Sequence, residues 1–120
     1  MKKFILGRVR SIGYAFTGFF FLIRTEHAII SQLILAGIFT GLGFYVEISR
    51  EEWIWQVLAI GLVLSTESLN TAIENICDFI HPDFNTKIGT IKDIASGAVT
   101  FAALTAMIIA GLIYIPYFLE

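Results

Sequence analysis

The sequence predicts an all-α membrane protein, with three transmembrane helices and an N-terminal amphipathic helix on the membrane surface. Hydrophobic residues make up 57% of the 120 residues, and the mean hydropathy is +0.80, whereas soluble domains are about 45–50% apolar. Residues 28–46 and 94–118 contain no charged side chain, and each stretch is long enough to cross a bilayer. Residues 53–80 form a third apolar stretch that carries a row of carboxylates. We expect a single domain, 1–120.

The surface helix is predicted at residues 2–24. Apolar side chains recur at helical spacing on one face, and basic and polar side chains occupy the other. The alternative is a fourth span, which would bring Arg8 and Arg10 into hydrocarbon. The stretch FILG near the start is too short for the apolar core of a cleaved signal peptide, so we expect the first residues to be retained.

The distribution of basic residues predicts the topology. Seven of the eight Lys and Arg residues precede the first span or lie in the connector 81–93, and only Arg50 lies between the first and second spans. The positive-inside rule therefore predicts a cytoplasmic N-terminus and a cytoplasmic connector 81–93, with Glu120 on the outer side. Aromatic residues at the opposite ends of the helices predict an aromatic belt at the outer interface: Trp53, Trp55, Tyr114 and Tyr117.

Loop-forming residues and small residues predict how the helices end and pack. Pro82 is expected to end the second helix, and the third is expected to begin near Lys92 and Asp93. Small residues that let helices approach closely lie four apart on two spans. Because three helices cannot enclose a polar site alone, these residues predict a homo-oligomer, although packing within one subunit explains either set equally well. The residues are Gly37 and Gly41 on the first span and Ala98, Ala102, Ala106 and Ala110 on the third.

Residues 65–78, STESLNTAIENICD, place four polar side chains on one side of an apolar helix. Offsets of 3, 7 and 11 residues return to nearly the same side at about 100° per residue. We call these four residues the polar stripe: Glu67, Asn70, Glu74 and Asp78. An acidic side chain at bilayer depth costs about 2.5–3.5 kcal/mol, which indicates a functional role. Glu67 lies about 21 Å along the helix from Trp53, past the midplane toward the cytoplasm.

Other polar residues at the cytoplasmic ends of the spans favour phosphoryl transfer. Glu26 lies at the inner end of the first span, and Lys92 and Asp93 lie at the inner end of the third. Carboxylates from separate helices can hold Mg²⁺ together with phosphate oxygens, and Lys and Arg can bind phosphates. A deeper carboxylate can accept a proton from an alcohol. The sequence contains neither GxxxxGK[ST] nor GxGxxG, which excludes the P-loop and protein-kinase phosphate cradles.

The segments ESLNTAIENICD and HPDFNTKIGTIKDIASGAV resemble the signature of the prokaryotic diacylglycerol kinase family, small membrane lipid kinases that include the undecaprenol kinases. The resemblance runs from about Arg10 to Tyr117 and includes GYAFTG and RTEH. It implies ATP-dependent phosphorylation of a lipid alcohol, either diacylglycerol or undecaprenol, and the second segment resembles the undecaprenol kinase branch more closely. It also implies a homotrimer with sites shared between subunits in the bacterial cytoplasmic membrane, and we expect no nucleic-acid partner.

The resemblance also implies roles for individual residues. Glu67 corresponds to the general base that activates the lipid hydroxyl, and Asn70 orients the substrate beside it. Glu26 and Glu74 correspond to the glutamates that bind Mg²⁺ and nucleotide. The other implied contacts are Tyr14, Asp83, Phe84, Asn85, Lys92 and Asp93 with the nucleotide, and Arg10 and Ser96 with the substrate.

Two positions depart from the family pattern. Gly7 stands where some members have an arginine, so the phosphate contact falls to Arg8 or Arg10, and Gln32 stands where other members have glutamate. An alternative function is a small proton-coupled exporter, in which Glu67 alternates between a proton and a cationic substrate. The outer half of each span lacks charge, which argues against a carrier with access from both sides.

Overall fold

A computed structural model describes residues 1–119, so the predicted outer position of Glu120 lies outside the described residues. Within that range the chain forms four α helices and no strand. Three of the helices are long and apolar enough to cross a membrane, which confirms the predicted all-α fold with three candidate spans. The surface position of the first helix and the homotrimer remain predictions. The helices are α1 (Lys2–Thr25), α2 (His27–Val46), α3 (Arg50–Ile80) and α4 (Thr86–Leu119).

Glu26 alone separates α1 from α2. Its extended backbone, with φ −91° and ψ 110°, interrupts the helical path. Hydrogen bonds nevertheless continue on both sides, since Glu26 N–H donates to Leu22 O and Ile30 N–H donates to Glu26 O, both at 3.0 Å. No residue of α1 is buried within the described chain, and the helix contacts the rest of the protein chiefly through α2.

A capping box starts α3. Ser49 Oγ accepts from the Glu52 N–H at 3.2 Å, while the Ser49 N–H donates to Glu52 Oε1 at 2.9 Å. The pair satisfies two backbone donors that a helix start leaves unpaired. The helix therefore begins at Arg50, three residues before the predicted span.

The start of α4 corrects the prediction that this helix begins near Lys92 and Asp93. It begins at Thr86, because Asn85 Oδ1 accepts from the N–H groups of Lys87 at 2.9 Å and Ile88 at 3.2 Å. An asparagine at this position is a strong N-cap, and it extends α4 into the connector. At the other side of the connector α3 ends at Ile80, two residues before Pro82.

A buried polar network joins α2, α3 and α4 near the aromatic ends of α3 and α4. The Tyr114 hydroxyl donates to Gln56 Oε1 at 2.6 Å and lies 3.1 Å from the Phe39 carbonyl oxygen, to which Gln56 Nε2 also donates at 3.2 Å. Tyr114 and Gln56 are both buried. Tyr114 therefore belongs to the interior of the bundle, and its predicted place in an aromatic belt is wrong.

The small residues have different surroundings in a single chain. Ala102 is buried inside the chain, which favours packing within one subunit at that position. Gly37 and Gly41 instead have no neighbouring atom within 4 Å of the place where a Cβ would stand. The closest helix approach at a glycine occurs at Gly43, where a Cβ would lie 2.8 Å from the Trp53 ring.

Candidate active site

The polar stripe lies within the continuous helix α3, as the period of its residues predicts. Asn70 is buried, with a relative exposure of 8%, while Glu67 and Glu74 are half-buried and Asp78 is exposed. Burial is greatest at Asn70 and decreases from there toward the connector. The arrangement gives a polar path that runs from the connector into the bundle.

Asn70 and Glu74 form the central hydrogen bond of the stripe. Asn70 Nδ2 donates to Glu74 Oε1 at 3.2 Å. Among the described residues nothing donates to the buried Asn70 Oδ1. A buried acceptor without a donor costs about 1–3 kcal/mol, and such a group in a native protein calls for an explanation. Asn70 Oδ1 is therefore an acceptor that the chain encloses and leaves without a donor in the described structure.

Lys92 joins α4 to the end of the stripe. Its Nζ donates to Asp78 Oδ1 at 2.5 Å, across the connector between α3 and α4. Both side chains are partly in contact with solvent, with relative exposures of 37% for Lys92 and 58% for Asp78. Asp93, the next residue along α4, is exposed. The structure thus brings the predicted nucleotide-binding lysine to the same helix end as the carboxylates.

The connector presents the next group of predicted residues. Asp83 and Phe84 are exposed, and the Asp83 carbonyl oxygen lies 2.9 Å from His81 Nδ1. Asn85 uses its side chain to cap α4. The capping role was not predicted, although an asparagine followed by an uninterrupted helix is a signal that sequence reasoning could have used.

In the described structure, no side-chain hydrogen bond or ion pair joins the remaining predicted residues to the stripe. Arg10 and Tyr14 lie on α1, where Tyr14 has a relative exposure of 74%, and Ser96 is exposed on α4. Glu26 is half-buried at the junction of α1 and α2. In the described structure, each side-chain hydrogen bond of α1 goes to a backbone carbonyl of α1 itself. The donors are Ser11, Thr17 and Thr25.

The donor set fits Mg²⁺ that is shared with a nucleotide better than a site made of protein ligands alone. Within residues 1–119, no three His, Cys, Asp or Glu side chains converge on a common point. Mg²⁺ in kinase-like sites takes one or two carboxylates and completes its shell with phosphate oxygens and water. Glu74, beside the unpaired Asn70 Oδ1, provides oxygen atoms of this kind.

An apolar cavity of about 240 Å³ lies among α2, α3 and α4, next to the deep end of the stripe. Val63 and Leu64 line it from α3, one turn before Glu67. Gln32, the position that departs from the family pattern, lines it from α2, and Gln56 lies toward the other end. No local pattern could have predicted this cavity, because three separate helices form it.

Comparisons with known proteins identify the family to which most of the chain is similar. The family described as prokaryotic diacylglycerol kinase matches residues 13–114, a range that includes the stripe, the connector and Lys92 but not Arg10. Over 74 residues the chain is 43% identical to undecaprenol kinase of Bacillus subtilis (strain 168). The aligned residues make up 62% of this chain and 60% of that protein. Neither comparison supports the exporter alternative. The match over most of its length means that this chain belongs to the prokaryotic diacylglycerol kinase family.

Proposed function

We propose that this protein is a membrane lipid kinase that transfers the terminal phosphoryl group of ATP to the hydroxyl of a lipid alcohol, diacylglycerol or undecaprenol. The observation that carries the proposal is the partly buried hydrogen bond between Asn70 and Glu74, one turn from Glu67 on the candidate membrane span α3. Family membership supports the same chemistry. The relative named undecaprenol kinase makes undecaprenol the first acceptor to test.

Glu67 acts as the general base in this proposal. Its carboxylate takes the proton of the lipid hydroxyl as that oxygen bonds to the terminal phosphorus of ATP, and the bond to the bridging oxygen of ADP breaks. Asn70, one turn along α3, orients the acceptor through its side-chain amide, whose enclosed Oδ1 has no intrachain donor in the described structure and becomes accessible when the lipid binds. The adjoining apolar cavity offers the lipid tail a place beside Glu67.

The nucleotide lies at the connector end of the stripe in this proposal. Glu74 and Glu26 would hold Mg²⁺, which neutralises the charge of the phosphates when bound. Lys92 binds phosphate oxygens directly, because a lysine ammonium serves as a point charge for phosphate. The other proposed nucleotide contacts are Tyr14, Asp83, Phe84, Asn85 and Asp93, and the other proposed substrate contacts are Arg10 and Ser96.

A homotrimer with shared sites accounts for the residues that one chain leaves apart. The exposure of Tyr14 on α1 and the open surroundings of Gly37 and Gly41 support contacts with another subunit. We further propose a single domain over residues 1–120 in the bacterial cytoplasmic membrane. In this arrangement α1 lies on the inner surface and the N-terminus and the site face the cytoplasm.

Transfer of labelled phosphate tests the proposal. The purified protein in mixed micelles receives labelled ATP, Mg²⁺ and either undecaprenol or diacylglycerol, and labelled lipid is measured. Glu67→Gln should abolish transfer, whereas Glu51→Gln, which removes an exposed carboxylate at the other end of the same helix, should retain it. Labelling of neither lipid by the folded wild-type protein would contradict the kinase proposal.

A further inference from the structure

We infer that Asp78 is a positioning residue that holds the Lys92 ammonium in place for the phosphates of the nucleotide. The inference rests on the proposed function, because it assigns Lys92 to the nucleotide. It adds a role for Asp78, a member of the polar stripe that the proposed mechanism otherwise leaves unused.

The two residues come from opposite sides of the connector. Asp78 lies in the last turn of α3, which ends at Ile80, and Lys92 lies in the second turn of α4, which begins at Thr86. Lys92 Nζ donates to Asp78 Oδ1 at 2.5 Å. The ion pair therefore joins the two helices that flank the connector with the proposed nucleotide contacts.

Helix stability does not explain an aspartate at this position. A negative side chain in the last turn is unfavourable, because the C-terminal end of the helix dipole is also negative. Lys92 and Asp78 have relative exposures of 37% and 58%, so water and salt screen their attraction. The pair therefore contributes little to the free energy of unfolding. Its remaining effect is to fix the orientation of the Lys92 side chain.

The geometry leaves Lys92 able to bind phosphate while it is held. A lysine ammonium has three N–H donors, and Asp78 Oδ1 accepts from one of them. The side chain is flexible and loses conformational freedom when it binds, so a contact that fixes it in advance lowers the cost of nucleotide binding. Asp78 also lies one turn from Glu74 on the same face of α3, so the held ammonium is close to the proposed Mg²⁺ ligand.

Steady-state kinetics of the full chain in mixed micelles test the inference, with ATP and lipid titrated separately. Asp78→Asn keeps the size of the side chain and removes its charge. We expect it to raise the KM for ATP by about 5- to 20-fold, with kcat and the KM for lipid nearly unchanged. Asp78→Glu should keep the KM for ATP closer to that of the wild type. Glu51→Gln is the matched control, because it removes one exposed carboxylate from the distant end of α3.

A double-mutant cycle separates positioning from an independent effect of charge. If Asp78 acts through Lys92, Asp78→Asn should change the KM for ATP little in a Lys92→Ala background. Additive effects would overturn the inference, and so would an unchanged or lowered KM for ATP in Asp78→Asn when the wild type transfers phosphate. A wild-type protein that phosphorylates neither lipid overturns the proposed function itself, together with this inference.

Discussion

The Tyr114 hydroxyl donates a hydrogen bond to Gln56 Oε1 at 2.6 Å, and both side chains are buried among three helices. Gln56 precedes Asn70 by 14 residues on α3, which is about 21 Å along the helix. One polar cluster therefore connects the helices at one end of the bundle, and the candidate site occupies the other. Substitutions at the two ends should consequently separate stability from catalysis.

Tyr114→Phe should lower the free energy of unfolding by about 1–3 kcal/mol, because it leaves the buried Gln56 oxygen without its donor. Denaturation in micelles measures the change. Tyr45→Phe removes an exposed hydroxyl from α2 and should be neutral. An equal loss for both variants would mean that the buried hydrogen bond has no special contribution.

Gly43→Ala should destabilise the protein by about 1–3 kcal/mol through overpacking. The new Cβ would lie 2.8 Å and 3.0 Å from two atoms of the Trp53 ring and 3.1 Å from Ile48 Cδ1. Gly61→Ala is the control, since no atom beyond the adjacent residues and the nearby helix backbone lies within 4 Å of its added Cβ, and alanine favours a helix. The same unfolding measurement compares them, and a neutral Gly43→Ala would contradict the close contact with Trp53.

Asn70→Asp should reduce the initial rate of phosphate transfer by about 10- to 100-fold, because it places a carboxylate against Glu74 and removes the donor of their hydrogen bond. Asn75→Asp adds the same charge at an exposed position on the same helix and should change the rate little. The rates are measured at several concentrations of ATP and Mg²⁺. Similar losses in both variants would indicate a general effect of charge on α3.

Ser49→Ala should cost about 0.5–2 kcal/mol in stability, because the Glu52 N–H loses its acceptor at the start of α3. Ser31→Ala is a matched control within α2. Ser31 Oγ donates to the His27 carbonyl of its own helix, so its removal leaves no backbone donor unpaired. Thermal unfolding followed by circular dichroism compares the two variants. Equal melting temperatures would contradict the importance of the capping box.

Period and composition predicted the parts of the fold that depend on one helix at a time. The three candidate spans follow from long apolar stretches, and the stripe from Glu67 to Asp78 follows from helical spacing. The predicted start of α4 near Lys92 and Asp93 lies too far along the chain, and α3 begins three residues before its predicted span. The side chains of Ser49 and Asn85 in fact determine those starts, through hydrogen bonds to backbone N–H groups.

Contacts between helices could not be predicted in the same way. The ion pair between Lys92 and Asp78 depends on how α4 returns along α3. The hydrogen bond between Tyr114 and Gln56 depends on the relative rotation of the same two helices. Sequence periodicity gives the face on which a residue lies, but it does not give the neighbour of that face. The roles of Arg10, Tyr14 and Ser96, which a single chain leaves exposed, stay predictions for the same reason.

In the proposed kinase, the length of α3 has a consequence for where the nucleotide and the lipid meet. Its 31 residues extend about 46 Å, whereas the hydrocarbon core of a bilayer is about 30 Å thick. If the proposed topology places Trp53 at one boundary of the hydrocarbon, the other boundary falls near residue 73, which would put Glu74 and Asp78 among the lipid headgroups. ATP, which is water-soluble, could then reach these carboxylates without entering the hydrocarbon core. The hydroxyl of the lipid would lie only about 9 Å below this boundary when it reaches Glu67.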